Sequence, residues 1–388
     1  MGRQLTTIIK LSVLFFGIYF SSAIASASMV SSIVPAAPEF DVKSYILMDA
    51  NSGTVIANKN SDERVAPASL TKIMTLYLVA DALRSRKIHL DDQVIISEKA
   101  WRTGGSRMFI QVGSNVSVHD LIKGIAIASG NDATVAMAEH LAGSELAFVG
   151  IMNRTAHDLK MNNTSFADSG GFSDGIGYST AYDLARLSKE WLKSFPEYYP
   201  WFKDKWIVYN NIKQLNRNRL LWHDPSVDGI KTGHTEKAGY CLISSAKHDD
   251  MRLILVVMGA QSDSVRTNCS LALLNYGFRY FESHKLFAAN TKVNTVKVLF
   301  GKKNTLDIGL QEDFYITLPK EQFQGLKAKA NINSYYKAPI SKGQNCGTLN
   351  ILLDNKIVAT KPLIALQTNP RAGFIFTVLD YVKMLFYK

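Results

Sequence analysis

A serine and a lysine three residues apart, Ser69 and Lys72 in PASLTKIMT, could act as a nucleophile and its base. On a helix, positions i and i+3 share one face, and a serine hydroxyl becomes reactive when a neighbouring group takes its proton. Lys72 can do this only as a neutral amine, which burial and a second nearby cation favour by lowering its pKa. The same pattern also fits a helix that begins with a serine N-cap after Pro67, so other motifs must decide.

Two further short motifs could place polar groups around this serine. Ser129 and Asn131 belong to a short loop predicted between two helices, and Lys231, Thr232 and Gly233 stand at what reads as the exposed end of an inner strand. Each motif alone is common in turns and strand ends. In this order, on a helix, a loop and a strand, S-x-x-K, S-x-N and K-T-G are the signature of serine acyl-transferring enzymes that bind penicillin.

The segments around these motifs predict a mixed α and β domain over residues 28–285, with an antiparallel sheet flanked by helices. DVKSYILMDANSGTVIANKN predicts two strands around a turn, and GYCLISSAKHDDMRLILVVMGA predicts a hairpin of two apolar strands. TKIMTLYLVADALRS has apolar residues at helical spacing, and HDLIKGIAIASGNDATVAMAEHLAG predicts a helix, a loop and a helix. LLNYGFRYFES predicts the last helix of the domain.

Two different segments follow. Residues 286–368 contain short alternating runs such as VNTVKVLF and GTLNILLDNKIVAT, which predict a small all-β sandwich. Residues 369–388 begin with a chain-breaking Asn-Pro and predict an amphipathic helix with Phe374, Val378, Val382, Leu385 and Phe386 on one side. We favour a helix that lies in the membrane interface, and the alternative is a helix packed on its own domain.

The N-terminus has the pattern of a secretory signal peptide over residues 1–27. Arg3 and Lys10 are the only charges before the apolar run 11–20, and Ala-x-Ala cleavage patterns follow. The alternative is a retained membrane anchor, for which the run is short. We therefore expect an exported protein.

Composition narrows the class of partner and cofactor. The chain has 388 residues, 47% of them hydrophobic, which suffices for two folded domains. Its net charge is +11, but the chain has no basic tract with interleaved aromatics, so we do not expect it to bind nucleic acid. We favour an anionic membrane surface or an anionic wall polymer as its partner. We expect no disulfide framework, no metal and no cofactor, because there is no C-x-x-C and the histidines lack ligand spacing. The residues concerned are Cys241, Cys269, Cys346, His119, His140, His157, His223 and His248.

With these motifs the chain resembles low-molecular-mass penicillin-binding proteins of the D-alanyl-D-alanine carboxypeptidase family. The similarity extends over the whole mature chain, in the blocks PASLTKIMT, GGSRMF, ASGNDA, STAYDLA, NRNRLLW, VDGIKTGHTEKAGY, YGFRYFE, APISKGQNCGTLNILLDNK and PLIAL. The resemblance implies a penicillin-binding or β-lactamase-like catalytic domain that removes the terminal D-Ala from peptidoglycan stem pentapeptides. It also implies covalent inhibition by β-lactams and a location at the periplasmic face of the bacterial inner membrane.

The resemblance assigns roles to the motif residues. Ser69 would form the acyl-ester and Lys72 would accept its proton, with Lys231 as the second cation that lowers the pKa of Lys72. Ser129 and Lys231 would relay a proton to the leaving amine, and Asn131 would bind the substrate amide or the Lys72 ammonium.

The remaining roles concern the oxyanion and the substrate's carboxylate. The backbone N–H groups of Ser69 and His234 would stabilise the oxyanion, and the His234 ring would only form a wall. Arg266 and Arg217 would bind the carboxylate of the substrate near Thr232 and Gly233.

One loop departs from the family pattern. Residues 166–178 read FADSGGFSDGIGY, where the family usually has Asn-Pro-x-Gly-Leu followed by a His. Ala167 and Asp168 replace Asn-Pro, Phe172 replaces the Leu, and Gly177 replaces the His. The added glycines lead us to expect a looser loop, with consequences for turnover and substrate preference rather than for acylation.

Three alternatives remain open at this point. A β-lactamase shares the motifs but needs a glutamate in this loop, and FADSGGFSDGIGYST has none. A wall-bound scaffold could bind penicillin and barely turn over. Endopeptidase action on cross-linked peptides would use the same site.

Overall fold

The computed structural model describes residues 5–9, 34–173, 175–373 and 380. The chain divides into two compact units, one formed by Ala36–Tyr280 and one by Phe281–Lys388 with Met1–Pro35. Each unit has its own hydrophobic core. All candidate site residues belong to the first unit.

The helices and strands have the following bounds. The helices are α1 (Lys72–Arg84), α2 (Glu98–Arg102), α3 (Val118–Lys123), α4 (Asn131–Ala142), α5 (Glu145–Asp158), α6 (Ala181–Ser194), α7 (Leu220–His223) and α8 (Asp263–Tyr280). The strands are β1 (Leu5–Ile9), β2 (Ser44–Asp49), β3 (Val55–Lys59), β4 (Gln93–Ile95), β5 (Asn115–Ser117), β6 (Trp206–Tyr209), β7 (Ile212–Leu215), β8 (Val227–Thr235), β9 (Gly239–His248), β10 (Met251–Ala260), β11 (Phe281–Phe287), β12 (Lys292–Leu299), β13 (Thr305–Gly309), β14 (Phe314–Pro319), β15 (Leu326–Ile332), β16 (Tyr336–Lys337), β17 (Asn345–Leu353) and β18 (Lys356–Ala365). Short 3₁₀ turns cover Ala68–Thr71, Tyr199–Phe202 and Gln322–Gly325, and a π-helical turn covers Gly124–Ala128.

The first unit is built on a five-stranded antiparallel sheet with the order β3-β2-β10-β9-β8. Its three inner strands, β2, β10 and β9, are rich in fully buried apolar residues, because helices pack on the sheet. The predicted antiparallel sheet flanked by helices is confirmed.

Strand β8, which carries Lys231, Thr232 and Gly233, differs from the expectation. It is the outermost strand of the sheet rather than an inner one, and these three residues are buried rather than exposed. The reason is the 3₁₀ turn Ala68–Thr71, which packs against β8. This turn thereby covers β8, the strand that carries the K-T-G motif.

An aromatic cluster closes the core beyond helix α6. Trp191 makes edge-to-face contacts with Phe195, Tyr199, Trp201 and Phe202, at ring-centroid distances of 5.1 to 6.3 Å. This is the packing geometry that aromatic pairs favour. The aromatic-rich segment 191–206 therefore mainly packs the core, as its sequence indicates, although Trp206 is exposed.

Between Phe281 and Ala365 the second unit consists of β-strands and a short 3₁₀ turn, in agreement with the predicted β-sandwich. Its larger sheet has the order β1-β15-β17-β18-β13-β12-β16, and β11 pairs with β14 in a second, two-stranded sheet. The boundary lies at Tyr280 and Phe281 rather than at 285 and 286. The sequence predicts a last helix that continues through Phe-Glu-Ser, but these residues begin β11, whose backbone pairs with β14.

The two termini are described only in part. Backbone pairing joins β1 to β15, and the rest of the predicted signal peptide lies outside the described residues. Of the predicted amphipathic helix, residues 374–379 and 381–388 also lie outside them. Asp380 is described: it is buried, and its carboxylate accepts a hydrogen bond of 2.7 Å from the Phe300 N–H.

Among the described helices, none by itself has the length and hydropathy of a membrane span. The bent pair formed by α4 and α5 meets these criteria together, with 82° between the two helices.

Candidate active site

The Ser69 side chain stands on the 3₁₀ turn directly before helix α1. In a 3₁₀ turn residues i and i+3 eclipse each other, so Lys72, the first residue of α1, comes into line with Ser69. The distance from Lys72 Nζ to Ser69 Oγ is 3.1 Å. Ala68, just before the serine, has a left-handed φ of 48°, a strained conformation of the kind found at functional sites.

Lys72 is fully buried and its amine has three hydrogen-bond acceptors. Besides Ser69 Oγ, these are Asn131 Oδ1 at 2.8 Å and the Gly170 carbonyl at 2.7 Å. Asn131 is fixed in orientation, because its Nδ2 donates to the Gly104 carbonyl at 2.7 Å. Both Asn131 Oδ1 and the Gly170 carbonyl can only accept hydrogen bonds. A neutral Lys72 therefore donates to these two and points its lone pair at Ser69.

Burial lowers the pKa of Lys72 to about 7. The carboxylates of Asp168 and Asp132 oppose this by raising the pKa, and the charge of Arg217 lowers it. The second cation that the sequence predicts is Lys231, whereas the cation that lowers the Lys72 pKa in the structure is Arg217. A substantial fraction of Lys72 is thus neutral at neutral pH, as a general base requires.

Lys231 is also fully buried, and its amine donates to the Thr232 carbonyl at 3.1 Å. Burial lowers its pKa well below the usual value, and the charges of Lys72, Arg217 and Arg266 lower it further. A charge on Lys72 therefore disfavours a proton on Lys231.

Ser129 is buried at the end of the π-helical turn, with a left-handed φ of 59°. Its Oγ has no hydrogen-bond partner within the described part of the chain, so the predicted relay from Lys231 is not a direct hydrogen bond. Ser129 lines the cleft in front of Ser69. A buried hydroxyl without a partner carries a desolvation cost, which a polar group of a substrate would relieve.

Gly233 allows β8 to approach the nucleophile turn. A Cβ at this position would lie 3.2 Å from the Pro67 carbonyl and from the backbone nitrogens of Ser69 and Leu70. The next residue, His234, is exposed and its ring lies 4.1 Å from the ring of Tyr240. This close approach places the backbone around His234 beside that of Ser69, the arrangement expected for two oxyanion donors.

The motif residues border an open cleft of about 1290 Å³. Its lining includes Ser69, Ser129, Thr232, Arg217 and Arg266. The chain thus brings all the predicted site residues to one cleft or directly behind it. The charged residues around this cleft are mostly cationic, which favours a substrate that carries a carboxylate.

Arg266 lies in the first turn of α8 and is buried. Its guanidinium donates to the Cys241 carbonyl at 3.1 Å and pairs with Asp263, and its Nε has no partner among the described residues. Arg219 also pairs with Asp263, at 2.9 Å. Arg217 instead donates to Ser106 Oγ at 2.8 Å.

Sequence reasoning missed Asp263, although an acid three residues before an arginine at a helix start is a visible signal. It also missed the role of Asp168. The Asp168 carboxylate accepts hydrogen bonds from four successive backbone N–H groups, those of residues 170–173. The expected looseness of the glycine-rich loop therefore does not hold for residues 168–173. The signal was an aspartate shortly before Gly-Gly, since Asp side chains often bond to the backbone that follows.

No group of three or more potential metal ligands occurs in the described residue ranges.

Comparison with known proteins gives two family matches, one after the other along the chain. Residues 31–262 match the family described as D-alanyl-D-alanine carboxypeptidase, and residues 281–371 match the Penicillin-binding protein 5, C-terminal domain. The D-alanyl-D-alanine carboxypeptidase DacA of Escherichia coli (strain K12) is 41% identical over 377 residues, covering 95% of this chain and 94% of that protein. DacF of Bacillus subtilis (strain 168) is 41% identical over 341 residues, covering 86% and 87%.

Solved structures give the same result. The crystal structure of penicillin binding protein 5 from Haemophilus influenzae has a TM-score of 0.83 at 40% identity, covering 87% of this chain and all of that one. Penicillin-Binding Protein D2 from Listeria monocytogenes, in its ampicillin-bound form, has a TM-score of 0.57 at 28% identity and covers 61% of this chain and 97% of that one.

Proposed function

Because this chain belongs to the D-alanyl-D-alanine carboxypeptidase family of serine hydrolases, we propose that Ser69 carries its reaction through an acyl-ester. One observation supports this most directly. Lys72 Nζ lies 3.1 Å from Ser69 Oγ while two other oxygens, both acceptors only, occupy its remaining hydrogen bonds. The amine that would take the serine proton is thereby aimed at it.

In the first step, Ser69 Oγ attacks the carbonyl carbon of the penultimate D-Ala, and its proton passes to Lys72. The carbonyl oxygen becomes negative, and the backbone N–H groups of Ser69 and His234 stabilise it. The close contact of Gly233 with the Ser69 backbone supports this pair of donors.

In the second step, the C–N bond breaks and the leaving D-Ala amine takes a proton. Ser129 is the group placed to deliver it, since its buried hydroxyl lines the cleft and has no other partner in the described chain. The proton that Lys72 took from Ser69 then passes to Ser129, directly or through Lys231, and Lys72 becomes neutral again. In a third step Lys72 takes a proton from a water molecule that attacks the ester, and returns it to Ser69 Oγ as the shortened stem peptide leaves.

The carboxylate of the substrate is the group that the cationic side of the cleft would bind. Arg266 and Thr232 line this side and Lys231 lies buried behind it. A carboxylate bound here also favours the protonated form of Lys231. Arg217 also lines the cleft, but its guanidinium donates to Ser106 Oγ, and we assign it a weaker role.

β-Lactams would acylate Ser69 in the same way, as the ampicillin-bound relative suggests. The carboxypeptidase is favoured over a β-lactamase, because residues 166–180 contain no glutamate to activate water.

We place the protein outside the cytoplasm, at the membrane surface. The signal-peptide pattern of residues 1–27, the apolar tail of residues 369–388 and the net charge of +11 support this location. A chain that ends after Leu366 is expected to remain active and to leave the membrane fraction. Sedimentation of this shortened chain with membranes would rule out the tail as the anchor.

The test of the catalytic assignment uses Ser69→Ala. Mass spectrometry of the penicillin-treated wild type should place one adduct on Ser69, and Ser69→Ala should lose both the adduct and D-Ala release while keeping its circular dichroism spectrum. Ser85→Ala, at the other end of α1, is the matched control and should keep both. An adduct on any other residue would overturn the assignment. Wild type that forms the adduct but releases no D-Ala would favour the scaffold.

A further inference from the structure

The loop that departs from the family pattern contains a buried carboxylate that serves the catalytic lysine without touching it. We propose that Asp168 is a positioning residue, which binds the backbone N–H groups of residues 170–173 and thereby holds the Gly170 carbonyl against Lys72. The proposal rests on the proposed role of Lys72 as the base. The orientation of the Lys72 amine would then depend on the Asp168 carboxylate, through the loop segment that contains Gly170.

The carboxylate is bonded on both oxygens. Asp168 Oδ1 accepts from the N–H groups of Gly170 at 2.8 Å, Gly171, and Phe172 at 3.3 Å. Oδ2 accepts from Ser173 at 2.5 Å. Asp168 is only 6% exposed. Successive N–H groups that converge on one anion form a concave nest, and hydrogen bonds to a charged acceptor are the strong ones.

Gly170 contacts Lys72 through its backbone carbonyl, because it has no side chain. A Cβ at Gly170 would lie 2.9 Å from the ring of Phe172 and 3.0 Å from Lys72 Nζ. The ring of Phe172 therefore fills the space where a side chain at position 170 would stand. This explains why Gly170 and Phe172 occur together in this loop.

Gly171 fixes the loop against the nucleophile turn. It has a φ of +73°, and a Cβ here would overlap the Ala68 carbonyl. Only glycine accommodates both conditions. The loop therefore touches the turn of Ser69 at Gly171 and the amine of Lys72 at Gly170.

Helix α1 holds the same loop at a second point. The Thr75 hydroxyl donates to the Ser169 carbonyl at 2.5 Å. Ser169 also donates through its N–H and its hydroxyl to Glu145 Oε1, at 3.2 and 2.7 Å. The segment before Gly170 is thus tied to α1 and α5, and the segment after it is tied to Asp168.

The charge of Asp168 adds an electrostatic effect. It raises the pKa of Lys72, and Asp132 acts in the same direction. Burial and Arg217 lower this pKa, and Lys231 is the other cation near the amine. If the charge of Asp168 is removed, the pKa of Lys72 should fall. Since acylation needs the neutral amine, the rising limb of its pH profile should move to lower pH.

The experiment measures the second-order rate of acylation by a fluorescent penicillin between pH 5 and 9. In wild type the rate should rise through a pH near 7. Asp168→Asn keeps an oxygen for the N–H groups but removes the charge, so its limb should shift to lower pH. Asp168→Ala removes the acceptor as well, so its plateau at high pH should fall by about tenfold or more. A folded Asp168→Asn or Asp168→Ala with the limb and plateau of wild type would overturn the proposal.

Two further variants control for folding. Asp183→Asn alters another buried carboxylate of the same unit, which accepts from the Asn163 N–H and the Thr164 hydroxyl, and it should leave the pH limb unchanged. An equal shift in Asp183→Asn would overturn the proposal. If Asp168 variants do not fold, Thr75→Val removes the other tie without a charge. It should lower the plateau with an unshifted limb, and an unchanged plateau would count against the proposal.

These outcomes are distinct from a failure of the proposed function. That failure would be seen in wild type, as a penicillin adduct away from Ser69 or none at all. The Asp168 variants are therefore measured only once the Ser69 adduct has been found in wild type.

Discussion

The regions around the two buried lysines, Lys72 and Lys231, differ in the hydrogen-bond acceptors that surround the amine. Lys72 has three acceptors from three different segments of the chain, and two of them leave its lone pair facing Ser69. Among the described residues, Lys231 has one acceptor, the carbonyl of the next residue on its own strand. Both amines are fully buried, and burial lowers the pKa of both. The comparison teaches that burial makes a lysine less basic, whereas the arrangement of its acceptors makes it a directed base.

The first prediction concerns the largest expected effect, the loss of acylation when Lys72 is removed. Lys72→Ala removes the base while Ser69 stays in place, so acylation by penicillin should fall by about 10³-fold. The rate is measured by stopped-flow or gel fluorescence at pH 8. Lys87→Ala, an exposed lysine just beyond α1, is the control and should acylate like wild type. Retention of more than about a tenth of the rate would mean that another group takes the serine proton.

The second prediction concerns the charge of Lys72 in the folded state. Its pKa is about 7 when folded against an ordinary value of 10.5, so between these pH values the unfolded chain binds the extra proton. Raising the pH through this window removes that advantage of the unfolded chain. The unfolding free energy of wild type relative to Lys72→Met should therefore increase by a few kcal/mol from pH 7 to 10.5.

Urea denaturation of both chains at several pH values measures this difference. Lys231 is present in both chains, so its own titration largely cancels. A difference that stays flat across the window would show that Lys72 remains protonated in the fold, and the base role would be lost.

The third prediction tests the other lysine. Lys231→Ala should slow acylation by about 10²-fold, less than Lys72→Ala, because the role proposed for Lys231 is through its charge and proton relay rather than on Ser69 directly. It should also raise KM for a peptide with a free carboxylate more than for the same peptide as its amide. If both lysine variants lost the same fraction of the acylation rate and KM did not change, the proposed difference between a directed base at Lys72 and an indirect role of Lys231 would be wrong.

The sequence predicted the site residues whose side chains belong to short motifs. Ser69, Lys72, Ser129, Asn131, Lys231, Thr232, Gly233, His234, Arg217 and Arg266 all come to one cleft or lie directly behind it. Spacing sufficed for Ser69 and Lys72, because their contact is local.

What could not be predicted depends on backbone groups and on contacts distant in sequence. The Gly170 carbonyl has no side chain to indicate it, and its bond to Lys72 joins residues 98 apart in the chain. The sequence alone predicts an exposed strand end at Lys231, because the cover of this strand comes from the distant turn at Ala68–Thr71. The glycine count of the loop at 166–178 predicts a loose loop, although the carboxylate of Asp168 accepts the hydrogen bonds that order residues 170–173.

The smallest expected effect belongs to Asp263, which lies between the cationic groups of the cleft. Its carboxylate pairs with both Arg266 and Arg219, and it lines the cleft where a substrate carboxylate would arrive. A substrate must therefore compete with Asp263 for the Arg266 guanidinium. Asp263→Asn should lower KM for the peptide by about two- to fivefold with little change in kcat, since a partly exposed ion pair contributes up to about 1 kcal/mol.

Arg266→Ala gives the opposite sign and completes the test. It should raise KM by about tenfold or more, because a charge-assisted hydrogen bond to the substrate is lost. A rise of KM in Asp263→Asn would mean that Asp263 orients Arg266 rather than competing with the substrate. The double variant decides between these roles: competition predicts that Asp263→Asn has no benefit once Arg266 is gone, because the guanidinium that it would release is no longer there.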